Sequence, residues 1–191
     1  MKKQIIIALK VLLVMTVLTG IVYPLLVTGI AQTCFHRQAN GSLITKNGVI
    51  IGSELIGQKF DSTRYFWSRP SATDYNPLPS GGSNFGPTSK TLKKLVDSRR
   101  SVFADKNRIK DTDSIPAEMI FASASGLDPH ISPQAAMIQV DRIAENRNFT
   151  ARQKQELVKI IRDMSEKPQF SLLGEARINV LMLNLELDNI R

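Results

Sequence analysis

The sequence predicts an α+β protein: one N-terminal membrane-spanning helix followed by a single soluble domain of mixed helices and strands. Three observations predict it. The first 30 residues are almost wholly apolar. Beyond them, stretches of helical periodicity are interspersed with short apolar runs bounded by turn residues. The whole chain has 191 residues, room for one ordinary domain once a membrane segment is set aside.

The N-terminal stretch reads MKKQIIIALKVLLVMTVLTGIVYPLLVTGI; Lys2, Lys3 and Lys10 are its only charges, and residues 11–30 carry none. About 20 apolar residues cross the hydrocarbon core as a helix. The predicted boundaries are therefore 1–10 for a cytoplasmic N-terminus and helix start, 11–30 for the membrane helix, 31–42 for a juxtamembrane linker and 43–191 for the soluble domain. A cleaved secretory signal has a shorter apolar region, roughly 7–15 residues, although Gly29-Ile30-Ala31 has a small-x-small pattern. A lipoprotein signal ending at Cys34 is disfavoured by the bulky, polar Gln32. A permanent anchor is the expected reading. The three lysines precede the helix and outnumber His36 and Arg37 after it, so the positive-inside rule puts the domain outside the cytoplasm. Thr16, Gly20 and Pro24 recur every four residues. Thr16 and Gly20 are thus candidates for close approach of a partner helix, a plain tether being the other reading of that spacing. Pro24 is predicted to kink the helix.

In the soluble part, Leu43–Lys46 and Val49–Ile51 flank Asn47-Gly48, a pair that tolerates positive φ, and predict a hairpin. Residues 61–87 are dense in Pro, Gly, Ser and Asn, yet carry Tyr65, Phe66, Trp67, Tyr75 and Phe85. Disordered linkers lack aromatics, so this segment is predicted to be an ordered functional surface. Residues 88–106 predict a helix with Leu92, Leu95, Val96 and Val102 on its inner face, and Ile115–Ala122 a short strand. Ser132-Pro133 opens a second helix, with Ala136, Val140, Ile143 and Ala144 inward. Thr150 caps a third, with Leu157, Ile160, Ile161 and Met164 inward, ended by Pro168. Residues 179–188 alternate Leu181, Leu183, Leu185 and Leu187 with other side chains, the period of a half-buried strand.

The formal net charge of +8 is compatible with nucleic acid, an anionic lipid surface or an acidic partner. The extracytoplasmic placement argues against nucleic acid. One cysteine, Cys34, and two histidines, His36 and His130, make neither a disulfide framework nor a spaced metal site. Gly81 to Thr88 has the glycine spacing of a phosphate loop but Pro87 where the lysine must stand, so a P-loop is rejected. Ser123-Ala124-Ser125-Gly126 lacks the glycine that precedes the serine of a nucleophile elbow. Asp128 and His130 lie too close to Ser123 and Ser125 in sequence for an ordinary triad. Read from its residues alone, the chain has no catalytic residue and no metal ligand. It is expected to be a binding or assembly subunit.

Several long strings are specific: Tyr65-Phe66-Trp67-Ser68-Arg69-Pro70-Ser71-Ala72, Tyr75-Asn76, residues 80–89, residues 123–133 and residues 174–181. Across essentially the whole chain they resemble the C subunits of bacterial Kdp-type potassium-transporting ATPases. That resemblance implies a non-catalytic accessory subunit of an inner-membrane pump, partnered by a potassium-binding channel-like subunit and a P-type ATPase subunit. Potassium is then handled by the partners. The family is described as a catalytic chaperone that raises the ATPase subunit's affinity for ATP, and residues 78–83 resemble the signature loop of ABC-type ATPases. Ser80, Gly81, Gly82 and Ser83 are accordingly candidate nucleotide contacts, with ATP the candidate ligand. The alternative is an extracytoplasmic cap over the potassium-binding subunit, without nucleotide contact. Under it Thr16, Gly20, Tyr65, Phe66, Trp67, Arg69, Tyr75 and Phe85 are the interface candidates. A free-standing anchored binding protein or degenerate hydrolase, which needs no partners, is the reading from outside the pump.

Overall fold

Thirty-three consecutive residues, Lys2–Cys34, form one apolar helical run, long enough to cross a membrane, with none of its hydropathic window buried in protein. At 1.5 Å per residue it is ~50 Å long, against a hydrocarbon core of ~30 Å. The structure is a computed structural model and describes residues 2–190; Met1 and Arg191, the outermost residues of the predicted boundaries, lie outside the described residues. The chain divides into two compact units, Met1–Leu43 and Ile44–Arg191.

In the first unit, α1 (Lys2–Val17) and α2 (Tyr23–Cys34) are joined without a break by a π-helical turn, Leu18–Val22. Pro24 cannot donate to the carbonyl four residues back, and its ring crowds that turn. The ladder accommodates this by lengthening: the Tyr23 amide donates to Leu18 O, five residues back. The helix continues beyond the predicted end at Ile30 to Cys34, and together with a short helix α3, His36–Ala39, it takes up most of the predicted linker.

The hairpin forms where Asn47-Gly48 predicts it. Strands β1 (Leu43–Lys46) and β2 (Val49–Ser53) pair across a turn in which Asn47 and Gly48 have φ of 52° and 78°. Both central residues at positive φ match the twist of the flanking strands.

Helix α4 (Lys90–Asn107) starts at Ser89, whose hydroxyl accepts from the Leu92 amide, and stops at Arg108 in the left-handed conformation. Its buried residues are Val96, Phe103, Ala104 and Asn107; Leu92 is half-buried, whereas Leu95 and Val102, predicted inward, are exposed. Residues 115–122 are not a strand. Two 3-10 turns, Thr112–Ser114 and Ala117–Met119, satisfy the backbone locally, and the Phe121 amide returns to Ala117 O. Pro116 has no amide to give a ladder, yet Ile115, Met119 and Ile120 still reach the core.

Helix α5 (Pro133–Asn146) is capped by Ser132 and buries Ala136, Val140, Ile143 and Ala144 as predicted. Helix α6 (Ala151–Asp163) carries a full capping box between Thr150 and Gln153 and buries Leu157 and Ile161, with Ile160 and Met164 against the core. It ends at Asp163 on a Met164 cap, ahead of Pro168. Two-residue strands β3 (His130–Ile131) and β4 (Ile178–Asn179) pair antiparallel.

The largest correction concerns residues 180–187. They form helix α7, Val180–Leu187, not a strand. Asn179 caps it by accepting from the Met182 amide, and its buried residues, Val180, Leu181, Leu183, Asn184 and Leu187, recur at three and four. Leucine is a good helix former, and only Val180 in this run is β-branched. One core gathers α4, α5, α6 and α7 around Phe66, Ile131, Ile143, Leu157, Ile161, Ile178, Leu183 and Leu187. Each such side chain contributes roughly 1.5–3 kcal/mol of transfer free energy.

Candidate functional site

Residues 61–87 contain no helix or strand, yet the segment is ordered, and its order comes from side chains of distant helices. Buried backbone groups must find partners. For Phe66 they come from one amide on α7: the Phe66 N–H donates to Asn184 Oδ1 at 2.8 Å, and Asn184 Nδ2 donates to Phe66 O at 3.0 Å. For Trp67 they come from α5: its N–H donates to Gln139 Oε1 at 2.8 Å, and Gln139 Nε2 lies 3.5 Å from Trp67 O. Gln139 and Asn184 are 0% and 3% exposed. Two carboxamides thus imitate a neighbouring strand.

Arg142 completes the clamp. It is buried with no carboxylate partner among the described residues, and its guanidinium donates to Asn107 Oδ1 at 2.9 Å, Thr63 O at 2.5 Å and Gln139 Oε1 at 2.7 Å. The same group lies 4.4 Å from the Trp67 ring centroid, and Phe103 meets that ring edge-on at 6.1 Å. Burial lowers its pKa to about 10, so it stays charged at neutral pH. Tyr65 is held similarly: Arg147 stacks 4.7 Å from its ring, and its hydroxyl donates to Asp188, which also pairs with Arg147 at 2.8 Å.

Further along, Arg69 Nη1 donates to Asp128 Oδ2 at 2.7 Å, and the His130 amide donates to Asp128 Oδ1 at 3.0 Å. Burial by itself raises the Asp128 pKa. The hydrogen bonds from His130 and Arg69, with the Arg69 charge, outweigh it and bring the carboxyl down from 3.8 to about 2. Tyr75 donates its hydroxyl to Arg69 O, and burial raises that hydroxyl to about 12. Beside the pair lies a polar cleft of about 750 Å³ lined by Glu118, His130, Glu166, Lys167 and Arg177, among others. A folded pKa below the ordinary one means that the ionised carboxylate stabilises the domain above about pH 5 and loses that contribution as pH falls towards 2. Wild type should therefore lose roughly 2 kcal/mol more than Asp128→Asn over that window, read from denaturant midpoints. Parallel acid limbs for the two proteins would sink the assignment.

The glycine-rich stretch is packed against residues 123–126. The Gly81 N–H donates to Ser125 O at 3.0 Å, and a Cβ on Gly82 would lie 3.1 Å from Ala124 O. Ser123 donates its amide to Pro70 O, and Gly126 sits at φ +71° against Thr73 and Gly81. Ser80 and Ser83 are exposed.

The predicted residues therefore separate. Tyr65, Trp67, Arg69 and Tyr75 are half-buried on one ordered segment, and Phe85 is exposed. Phe66 is 0% exposed and belongs to the core, which corrects its place among the surface candidates. Thr16 and Gly20 are exposed on the membrane helix. His130 Nδ1 lies 3.6 Å from Asp128, and no hydrogen bond joins it to Ser123 or Ser125 among the described residues. Sequence reasoning missed Asn107, Gln139, Arg142 and Asn184. A signal existed on α5, where Gln139 lies on the same stripe as Ala136, Val140 and Ile143.

Comparison with known proteins covers nearly all of this architecture. Residues 5–189 match the family described as KdpC, K+-transporting ATPase, c chain. Proteins of Geotalea uraniireducens and Methylococcus capsulatus, each named potassium-transporting ATPase KdpC subunit, are 50% identical to this chain over 187 residues, covering 96% of both chains. A protein of the same name from Geobacter sulfurreducens has the same identity and coverage.

Proposed function

The chain belongs to the KdpC family, and from that premise we propose that it is a non-catalytic accessory subunit of a potassium-transporting P-type ATPase, anchored in the bilayer by its N-terminal helix and contributing its folded domain to assembly and stability. The observation that carries the reading is the clamped aromatic segment: Tyr65, Trp67 and Tyr75 are held at the surface by Asp188, Gln139 of α5 and Arg69 respectively. A preorganised aromatic surface binds a partner at a reduced ordering cost. The lysines ahead of the helix favour a domain outside the cytoplasm, where it caps the potassium-binding subunit.

The rival reading has the domain act as a catalytic chaperone, with Ser80, Gly81, Gly82 and Ser83 meeting ATP. Two facts weigh against it: the Gly81 amide is already spent on Ser125 O, and ATP is cytoplasmic. Gly81→Ala, whose Cβ has open space, is expected to leave both assembly and the apparent ATP affinity of the purified pump unchanged. A several-fold change in that affinity would make the nucleotide reading the better one. Topology is tested by placing a cysteine at the exposed Ser83 in a Cys34→Ser background. Labelling by a membrane-impermeant reagent in intact cells is expected; labelling only after lysis would return the domain to the cytoplasm.

A further inference from the structure

The apolar stripe on α4 is wider than the core it packs on. Leu95 and Val102 remain 38% and 53% exposed, and Val102 is not isolated. Together with Phe60, Trp67, Tyr75, Arg99 and Lys106 it lines a groove of about 460 Å³ along the aromatic segment. The charge on the groove's lining is positive on balance, Lys59, Arg99 and Lys106 against Asp61. Helix α4 carries six Lys and Arg against two Asp, a net +4 and half of the chain's +8. Of the groove's cations, Lys59 is held by Asp74 at 2.9 Å and Arg99 donates to Ile120 O at 3.3 Å. Lys106 has no acidic partner among the described residues, and Asp61 is the one acid on the lining.

We propose that this groove is a docking site for an acidic, apolar segment of a partner polypeptide: an apolar side chain fills the trough between Trp67 and Val102, and a carboxylate meets Lys106 and the outer edge of Arg99. The chemistry of the groove selects that occupant. Surplus positive charge on one rim attracts and orients a negative segment and rejects a basic one. Trp, Tyr and Arg, once desolvated by a partner, are the residue types that dominate binding at protein interfaces. Trp67 is already immobilised by Arg142, Phe103 and the Gln139 clamp, so docking requires little further ordering. The proposal rests on the accessory-subunit reading only in taking the partner to be another subunit of the pump.

The test uses the complete pump in native membranes, with Val102 replaced by the photoreactive p-benzoylphenylalanine. Val102 is exposed, so the replacement leaves the core untouched. A crosslink to another pump subunit is expected, through a peptide that carries Asp or Glu beside apolar residues. Lys106→Glu in the same background is expected to lower the yield about tenfold, and Lys106→Arg to preserve it. An adduct with lipid alone, an adduct with a second copy of this chain, or no adduct while the pump still co-purifies intact each overturns the docking site and leaves the subunit reading standing. A chain that purifies without larger membrane subunits overturns both.

Discussion

Arg142→Ala is expected to destabilise the soluble unit by about 4 kcal/mol, lowering its melting temperature by about 10 °C. Two effects add. Truncation leaves a cavity beneath the Trp67 ring, and it strips donors from Asn107 Oδ1, Gln139 Oε1 and Thr63 O, of which the first two are buried. A buried charge without a carboxylate is not in itself stabilising, because its desolvation offsets much of the gain. Arg142→Met separates these effects, since it keeps volume and removes both charge and donors. It should recover part of the loss. Arg142→Lys should recover little, because an ammonium cannot donate in the three directions of a planar guanidinium or stack as closely on Trp67. Trp67 is the only tryptophan, so its fluorescence reports the site directly. If Arg142→Met melts with wild type and leaves the emission unshifted, the guanidinium contacts contribute nothing net.

Asn184→Leu is expected to cost about 3 kcal/mol and to detach the aromatic segment before the rest of the domain unfolds. Leucine approximates the size of the amide and keeps the helix propensity of α7. The N–H and C=O of Phe66, both paired to Asn184, lose their partners in a buried setting. Phe66 itself is core, so the segment cannot rehydrate these groups without withdrawing that ring. Hydrogen exchange at Phe66 and Trp67 should rise more than at α6, which among the described residues shares no hydrogen bond with Gln139, Arg142 or Asn184. Uniform acceleration across the unit would instead mean that Asn184 supports the core in general and not the segment.

These expectations bear on function because the segment that carries the candidate interface has no regular secondary structure of its own. Its geometry is imposed by Gln139, Arg142 and Asn184, none of which reaches the surface. Substitutions at those positions should therefore weaken partner binding without touching a partner. Lys106→Glu should weaken it without loss of stability, because Lys106 is exposed.

Sequence by itself determined what is decided within a few residues of a position. The apolar run marks the membrane helix, Asn47-Gly48 marks the hairpin, and Ser132 and Thr150 mark two helix starts, because solvent transfer, positive φ and capping are local properties. The family was legible for a related reason, since long specific strings survive without any knowledge of contacts. Tertiary structure alone decided the rest. Alternating leucines suit a strand or a helix equally over eight residues, and α7 is a helix because its 180/183/184/187 face meets the core and Asn184 meets Phe66, 118 positions away. Val102 looked like core and was left outside because an open groove along the aromatic segment, rather than more core, borders that side of α4. The polar residues that order the site were overlooked for the same reason: a buried amide or guanidinium is intelligible only once the backbone it satisfies, brought from far along the chain, is beside it.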